Sequence, residues 1–282
     1  MPFTVVADIG GTTSRWGVLR DGQDPLVLDG LPGFNPVVGE PDVFVRAVRE
    51  RFDAEKVDVG DLFAYGAGCG TPERTRRMAD TLLSIWPAAR VDVASDLLGA
   101  AHGLLGARSG LVLILGTGMN AGYFDGTVLH QPMPSLGYIL GDEGSGADIG
   151  KHFLHDALHG RVPDAVMRAI FPEGVDTAAV IERLYRGAGP QAWLASFTGK
   201  LALLGNEGYA SALLERRFRA LAELMARHFG AKKYMDLYAT GSVACGCREI
   251  LADVLSEAGF SLIDVQPSPL PGLLRYRSAL AR

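Results

Sequence analysis

The sequence has little cysteine, no basic excess and no long apolar run. Its three cysteines are Cys69, Cys245 and Cys247, too few for the disulfide framework of a small secreted domain. Cys245 and Cys247 are separated by one residue and no histidine lies near them, a spacing that does not match a zinc site. The cysteine content therefore excludes a disulfide scaffold and is typical of a reducing compartment.

Charge and hydropathy argue against two further classes. The net charge is −5, and the arginine clusters at residues 74 to 77 and 216 to 219 fall in helical patterns that predict solvated helix faces, so we expect no nucleic-acid partner. The longest apolar run, residues 110 to 115, is far shorter than the roughly 18 residues of a membrane span. The first residues, MPFTVVADIGG, contain no basic segment. We expect no signal peptide, no membrane partner and a cytoplasmic location.

Glycine is abundant instead, with 36 residues, and it marks a repeated pattern. An apolar strand, a glycine-rich turn, a second strand, an Asp-Gly hairpin and a third strand are predicted from residue 3 to 31 and again from residue 111 to 131. The two hairpin turns are Asp21-Gly22 and Asp125-Gly126. Helical patterns occur at residues 40–52, 72–85, from 95 or 96 to 105, over most of 142–230, and at 243–258. The chain is thus predicted to be an α/β protein.

The first glycine turn has the composition of an anion-binding loop. It contains two glycines, two threonines and a basic residue, namely Gly10, Gly11, Thr12, Thr13 and Arg15. Glycines leave several backbone N–H groups accessible, and such nests bind phosphate. Asp8, at the end of the preceding strand, has the position and charge to hold a divalent cation through water. The same residues also fit an ordinary polar hairpin.

Two further turns strengthen the phosphate interpretation. Gly116, Thr117 and Gly118 occupy the equivalent place in the second half of the chain. Thr240-Gly241-Ser242 lies between a strand and a helix, where the absence of a side chain at Gly241 lets a base or ribose approach the backbone. Three such turns in a repeated chain favour one nucleotide held by both halves.

The remaining candidates carry carboxylates or amides. Asp96 begins a predicted helix directly after a strand, where it is either an N-cap or first-turn carboxylate of that helix or a general base that accepts a hydroxyl proton. Asp142 and Glu143 lie among glycines just before another helix, where Asp142 fits either a cap or a site for a polyhydroxylated ligand. The amides of Asn35 and Asn120 match a sugar hydroxyl or an acetamido group, whereas Asn35 before Pro36 also fits simple turn chemistry.

Several of these motifs resemble one known family. The glycine turns are similar to the phosphate and adenosine motifs of the actin, sugar kinase and Hsp70 superfamily. Within it, GTGMN followed by GDEGSG, with GFNP, SDLLGAAHG and QPSPLPGLLRY, resembles the N-acetylglucosamine kinase branch of the BadF/BadG-type ATPases over nearly the whole chain. The resemblance implies two ribonuclease-H-like, actin-type lobes with a cleft between them. The lobes would be residues 1–108 and 109–282, with the last helix, about 272–282, packing back on the first lobe.

The resemblance also implies site residues, cofactors and partners. The cofactors are ATP and Mg²⁺, the substrate is an amino sugar, and the assembly is a homodimer. Asp96 would be the catalytic base. The sugar would contact Asn35, Asn120, Ser135, Leu136, Gly137 and Asp142. The nucleotide would contact Thr12, Thr13, Thr117 and Gly241. Thr13 stands where family members commonly carry a lysine, and Arg15 is a nearby cation with a different geometry.

The residues leave alternatives to an N-acetylglucosamine kinase open. The substrate could instead be glucosamine, N-acetylmuramic acid or glucose. A second alternative is a BadF-type ATPase that drives a partner protein, although the three cysteines do not form the cluster-binding arrangement of such activators. A third is a non-catalytic sugar sensor, which the presence of both Asp8 and Asp96 disfavours.

Overall fold

The computed structural model describes residues 2–20, 22–204, 208–230 and 235–280. The chain divides into two units, one formed by Met1–Ser109, Asp125–Leu129 and Ser268–Arg282, the other by Gly110–Phe124 and His130–Pro267. We call them unit 1 and unit 2. Asp21 of the first predicted hairpin turn, and Ala281 and Arg282 of the predicted last helix, lie outside the described residues. No helix among the described residues is long and apolar enough to cross a membrane.

Unit 1 is built on a five-stranded sheet with helices on both faces. Its strands are β1 (Phe3–Ile9), β2 (Thr13–Leu19), β3 (Leu26–Pro32), β4 (Val59–Gly66) and β5 (Arg90–Ser95), in the order β3-β2-β1-β4-β5. Its helices are α1 (Asp42–Ala54), α2 (Pro72–Ile85), α3 (Asp96–Leu105) and α12 (Leu270–Leu280). Strand β1 pairs antiparallel with β2 and parallel with β4, and β4 pairs parallel with β5.

Alternation along β1 directs its side chains to the two faces of this sheet. Val5 and Ile9 belong to a core with Trp16 and Phe52, whereas Val6 packs with Leu273 of α12 on the opposite face. Helix α12 lies close to α3, since a Cβ on Gly272 would come within 1.7 Å of the Gly103 carbonyl oxygen. Helix α12 thus covers one face of the five-stranded sheet of unit 1.

Unit 2 repeats the strand arrangement. Its elements are β6 (Gly110–Leu115), β7 (Met119–Phe124), β8 (Leu129–His130), α4 (Gly137–Leu140), α5 (Gly146–Leu158), α6 (Asp164–Ile170), α7 (Thr177–Arg186), α8 (Pro190–Ala202), α9 (Tyr209–Phe229), β9 (Met235–Thr240), α10 (Ser242–Gly246), α11 (Arg248–Glu257) and β10 (Phe260–Gln266), with Leu129 of β8 counted in unit 1. The order β8-β7-β6-β9-β10 matches that of unit 1, element for element. The predicted α/β class with two actin-type lobes is confirmed.

Two local predictions were wrong. The strand expected over residues 127–131 is reduced to β8, because Asp125 Oδ1 accepts hydrogen bonds from the amides of Thr127 and Val128 and extends the turn. The helix expected over residues 243–258 breaks at Cys247, which ends α10 with φ −122° and ψ 27°. A glycine at position 246 provides little intrinsic helix stability to prevent that break.

Candidate functional site

The first glycine turn of unit 1 joins β1 to β2 and is fastened to the chain segment after β3. Gly10 N donates to Thr13 O at 2.9 Å, which closes the turn. Gly33 N donates to Thr12 O at 2.9 Å and Phe34 N to Gly10 O at 3.0 Å. A Cβ on Gly33 would lie 2.1 Å from Gly10 O, so only glycine fits there. The exposed residues Gly11, Thr12 and Thr13 therefore belong to a braced loop.

Asn35 follows directly on this bracing segment. Its Oδ1 accepts a hydrogen bond from Val37 N at 2.9 Å, as expected for a turn residue. Its side chain also packs against Gly68, whose φ is +76° and where a Cβ would lie 2.3 Å from Asn35 Oδ1. Ala67 N donates to Ile9 O at 2.8 Å. Three loops of unit 1 therefore meet, and they carry the first glycine turn and Asn35.

Asp96 lies at the same edge of the sheet. The register pairs Ile9 of β1 with Gly66 of β4, and Gly66 with Ser95 of β5. Because these three strands are parallel, their carboxyl ends share one edge, which is where open α/β sheets bind ligands. Asp96 is the next residue after Ser95, so the sheet brings Asp96 to the edge that holds the first glycine turn.

The helix-cap alternative for Asp96 is resolved in part. Ser95, not Asp96, is the N-cap of α3, since its Oγ accepts from Leu98 N at 3.2 Å. Asp96 is the first helical residue, and its Oδ1 accepts from Leu97 N at 2.8 Å. Burial and, to a smaller extent, the charge of the Asp96 carboxylate raise the pKa of the Cys69 thiol to about 12. The Asp96 charge thus acts on the turn at residues 66–69.

Asp8 lies one residue before the end of β1, with its carboxylate in a poorly solvated environment. Its Oδ2 accepts a hydrogen bond from Ser268 Oγ at 3.0 Å. Burial raises the pKa of Asp8 to about 6, although the Ser268 hydrogen bond and the Arg15 charge act in the opposite direction. Arg15 lies opposite Asp8 in the strand register and pairs with Asp29 at 3.4 Å. A poorly solvated carboxylate of this kind gains from a cation.

The second glycine turn, in unit 2, is built like the first. Gly116 N donates to Gly118 O at 3.0 Å, and the start of α5 closes on the turn through bonds from Gly146 N to Gly116 O and Ala147 N to Thr117 O. Gly241 has φ +116°, and a Cβ there would lie 2.5 Å from Leu115 O. The third predicted turn, including Ser242, therefore packs against the second, as the pairing of β6 with β9 requires.

Asp142 lies against this second turn. It is buried, at 5% exposure, and has φ +61°, an unfavourable conformation for a residue other than glycine. A Cβ on Gly118 would come 3.0 Å from Asp142 Oδ2, and Gln191 Nε2 donates to the same oxygen at 3.4 Å. The capping role considered for Asp142 belongs instead to Ser145, whose Oγ accepts from Asp148 N. The adjacent Glu143 Oε2 is buried without a hydrogen-bond partner among the described residues.

The other sugar-binding residues predicted in unit 2 are Asn120 and residues 135–137. Asn120, on β7, accepts a hydrogen bond from Gln131 Nε2 through its Oδ1 at 2.6 Å. Ser135 and Leu136 are exposed and precede Gly137, where α4 begins. Leu136 approaches Gly141, at which a Cβ would lie 3.1 Å from Leu136 Cβ. Residues 135–137 therefore adjoin the segment that carries Asp142, while Asp96 and Asn35 belong to unit 1.

Comparison with known proteins identifies the family. No family model and no curated protein matches the chain. A solved structure of a candidate N-acetylglucosamine kinase from Porphyromonas gingivalis is 32% identical, with 99% of this chain and 100% of that chain covered and a TM-score of 0.88. The chain belongs to the N-acetylglucosamine kinase family.

Two other solved structures share the fold of this kinase family. One is a candidate N-acetylglucosamine kinase from Chromobacterium violaceum, 20% identical over 98% of this chain and 99% of that chain, with a TM-score of 0.70. The other is a ROK family glucokinase from Streptomyces griseus in complex with glucose and AMPPNP, 17% identical over 98% of each chain, with a TM-score of 0.57. The family fold is thus the two-lobed fold of sugar kinases.

Sequence reasoning missed a buried ion pair in this N-acetylglucosamine kinase family member. Asp148, only 2% exposed, accepts hydrogen bonds from Gly144 N at 3.0 Å and from Arg217 Nε at 2.7 Å. Burial alone would raise the pKa of Asp148, but hydrogen bonds from His152 and Arg217 outweigh it and hold the pKa below its ordinary value. The prediction that residues 216–219 form only a solvated face was wrong at Arg217.

Ser268 and Gln191 were also missed, because no local pattern marks them. Ser268 contacts Asp8 across a separation of 260 residues, and Gln191 contacts Asp142 across 49. The only sequence signal for Ser268 was the motif QPSPLPGLLRY, which was noted for its resemblance to the kinase family and without a role. Such partners become visible only when the chain is folded.

Proposed function

We propose that the protein is an ATP-dependent sugar kinase that phosphorylates the 6-hydroxyl of an amino sugar, with N-acetylglucosamine as the first candidate. The observation that carries the proposal is the position of Asp96, at the sheet edge shared by Asp8 and the first glycine turn. Membership of the N-acetylglucosamine kinase family supports the same reaction class. The AMPPNP bound to the glucokinase of the same fold supports ATP as the phosphoryl donor.

Asp96 is assigned the role of general base. Its carboxylate takes the proton from the sugar 6-hydroxyl as that oxygen attacks the γ-phosphorus of ATP, the bond from phosphorus to the β-γ bridging oxygen breaks, and ADP leaves. The reaction therefore yields the sugar 6-phosphate, ADP and a proton on Asp96. A helix start is a rigid place for such a base, because Ser95 caps α3 and fixes its first turn.

The glycine turns are assigned to the phosphates. The backbone N–H groups of Gly10, Gly11, Gly116 and Gly118 would stabilise negative charge on the phosphoryl oxygens, a preorganised electrostatic role. The residues that would contact the nucleotide besides these are Thr12, Thr13, Arg15, Thr117, Gly241 and Ser242. Because Thr13 stands where relatives commonly carry a lysine, the positive charge near the phosphates would come from Arg15, which also forms an ion pair with Asp29.

Asp8 is the residue that fits Mg²⁺. Mg²⁺ usually takes one or two carboxylates and completes its shell with water and substrate phosphates, so one desolvated carboxylate beside a phosphate loop meets the requirement. The residues described contain no group of three or more His, Cys, Asp and Glu side chains that could hold a metal, which matches a metal that arrives with ATP. When bound, Mg²⁺ neutralises phosphate charge. Mg²⁺ itself, the homodimer and the cytoplasmic location stay predictions.

Sugar recognition is assigned to the amide and carboxylate side chains that the family resemblance implies. Asn35 offers an amide on unit 1, and Asn120, Asp142 and the segment 135–137 offer further groups on unit 2. Glucosamine is the second candidate, because Asp142 is followed by Glu143, whose buried Oε2 has no donor among the described residues. An ammonium group at the sugar 2-position would satisfy such carboxylates, whereas an acetamido group would use the Asn amides.

A coupled ADP-release assay tests the reaction class. Purified protein with ATP–Mg²⁺ is given N-acetylglucosamine, glucosamine, N-acetylmuramic acid, N-acetylmannosamine or glucose in turn. We expect turnover that depends on an amino sugar and is highest with N-acetylglucosamine. Higher turnover with glucosamine would favour the second candidate. ADP release that is the same with every sugar and without any would contradict the sugar kinase and indicate an ATPase that drives a partner.

The affinity for the sugar should depend on pH through Asp142. Burial, aided by the charges of Glu143 and Asp148, raises the pKa of Asp142 to about 6, against the opposing effects of a backbone hydrogen bond from Met119 and the Lys151 charge. Below that pKa the carboxyl group is protonated and loses acceptor capacity for sugar hydroxyls. We expect the KM for the sugar to rise as the pH falls from 7 to 5.

Asp142→Asn is the matched control for this pH dependence. It keeps the size of the side chain and removes the titration, so its KM for the sugar should be raised at pH 7 and nearly constant down to pH 5. Initial rates at varied sugar concentration and saturating ATP–Mg²⁺ measure both enzymes. An equal pH dependence in the two proteins would contradict the role of Asp142.

A further inference from the structure

Arg77 departs from the solvated arginine face predicted for residues 74 to 77. It lies on α2 and is exposed, yet its guanidinium donates hydrogen bonds to the backbone of the loop between β3 and α1. Nη1 donates to Pro36 O at 2.7 Å and Nη2 donates to Gly39 O at 3.1 Å. Charged donors to carbonyl oxygens make strong hydrogen bonds. Arg77 thus ties α2 to residues 36–39, a contact across about 40 positions of sequence.

The two carbonyl groups belong to the turn that begins at Asn35. Val38 N and Gly39 N both donate to Asn35 O, at 3.2 and 2.9 Å. Asn35 Oδ1 accepts from Val37 N within the same turn. The turn therefore fixes both the backbone and the side chain of Asn35, and Arg77 holds the outer end of that turn.

The inner end of the turn has a separate anchor. Phe34 is buried, at 2% exposure, and its ring stacks on Phe44 of α1 with centroids 5.6 Å apart. Phe34 N and Gly33 N donate to the first glycine turn. Loss of Arg77 would leave this anchor and the phosphate loop in place, so we expect its effect to be confined to residues 35–39.

We propose that Arg77 is a positioning residue for sugar recognition, acting through the turn that carries Asn35. The inference rests on the proposed function, in which Asn35 contacts the sugar. Two donors in a planar fork can bind two carbonyl groups at once, whereas the single ammonium group of a lysine lacks that fork. The position therefore requires arginine for full effect, even though it is exposed.

The test compares Arg77→Ala and Arg77→Lys with Arg76→Ala as the matched control. Arg76 is exposed on the same helix and makes no hydrogen bond or ion pair with any residue that the structure describes. For Arg77→Ala we expect the KM for the sugar to rise about tenfold, because misplacing a binding group by a fraction of an ångström is costly. The KM for ATP–Mg²⁺ should stay within about twofold, since the phosphate loop keeps its anchor.

Two further readouts separate positioning from a general loss of structure. Arg77→Lys should show an intermediate KM for the sugar, and Arg76→Ala should match the wild type in both KM values. Amide hydrogen exchange at Val38 and Gly39 should be faster in Arg77→Ala, while exchange at Gly33 and Phe34 is unchanged. The melting temperature of each variant shows that the protein remains folded.

The outcomes distinguish this inference from the proposed function. An unchanged KM for the sugar in Arg77→Ala, with an active wild-type enzyme, would overturn the role of Arg77 alone. A parallel rise in both KM values would also overturn it, because the effect would then reach the phosphate loop. A wild-type protein that phosphorylates no sugar would overturn the proposed function, and with it the inference.

Discussion

Asp96→Asn should lower kcat about a thousandfold with the best sugar, the range expected when a general base is removed. The amide cannot accept the proton of the 6-hydroxyl during attack. The fold should be unaffected, because the Asn side-chain oxygen can still accept from Leu97 N, as Asp96 Oδ1 does at 2.8 Å, and Ser95 keeps the cap of α3. Sugar affinity, measured by calorimetry without ATP, should stay within about threefold, since the change acts on the transition state.

Asp92→Asn is the control for this experiment. Asp92 lies on β5, the strand that precedes Asp96, with a side chain that is 63% exposed and 3.9 Å from Arg277. Its loss removes the same charge from the same unit and should leave kcat near the wild-type value. If Asp92→Asn and Asp96→Asn lowered kcat equally, the effect would be one of charge or folding. If Asp96→Asn retained full turnover, another group would be the base.

Arg217→Ala should lower the free energy of unfolding by about 3–5 kcal/mol, the usual result of removing one partner of a buried ion pair. Asp148 would then remain charged, at 2% exposure, without the guanidinium that now donates to both of its oxygens. The loss extends beyond stability. Asp148 Oδ2 also accepts from Gly144 N, so the segment that carries Asp142 should loosen and the KM for the sugar should rise.

Arg219→Ala is the matched control for Arg217→Ala. Arg219 lies two residues along the same helix, and its ion pair with Glu257 is about half exposed on both sides. Solvent screens such a pair, so the variant should unfold with the wild-type free energy. Urea denaturation followed by circular dichroism compares the three proteins. Equal losses in the two variants would show that the Asp148–Arg217 pair contributes no more than an exposed one.

The sequence indicated the local structure well where a short-range signal existed. Thr71 followed by Pro72 predicted the start of α2, and the structure has Thr71 as N-cap and Pro72 as first residue. The repeated strand and glycine-turn pattern predicted an α/β protein with two similar sets of strands, because alternation and glycine turns act over a few residues, and the family resemblance implied the two lobes. The prediction of a single helix over residues 243–258 was wrong because the local sequence signal is weak at Gly246, where α10 ends.

The roles of the candidate site residues stay predictions, but their placement shows where sequence reasoning reaches. Asp8, Asn35 and Asp96 were selected from residue type and local position alone. Their common location at one sheet edge follows from the parallel pairing of β1, β4 and β5, which a sequence pattern does not reveal. The resemblance to kinases supplied that arrangement, and the register of the strands gives its physical basis.

The sequence by itself determined which segments form strands, turns and helices, and it pointed to the glycine loops and the family. Only the tertiary structure decided which charged side chains bind groups near the candidate site. Arg77 and Arg76 are neighbours on one helix, and Arg217 and Arg219 lie two residues apart on another, yet only Arg77 binds the turn after Asn35 and only Arg217 binds the buried carboxylate of Asp148. The physical reason is that the value of a charge depends on its burial and its partners, and those partners lie about 40 to 70 positions away along the chain.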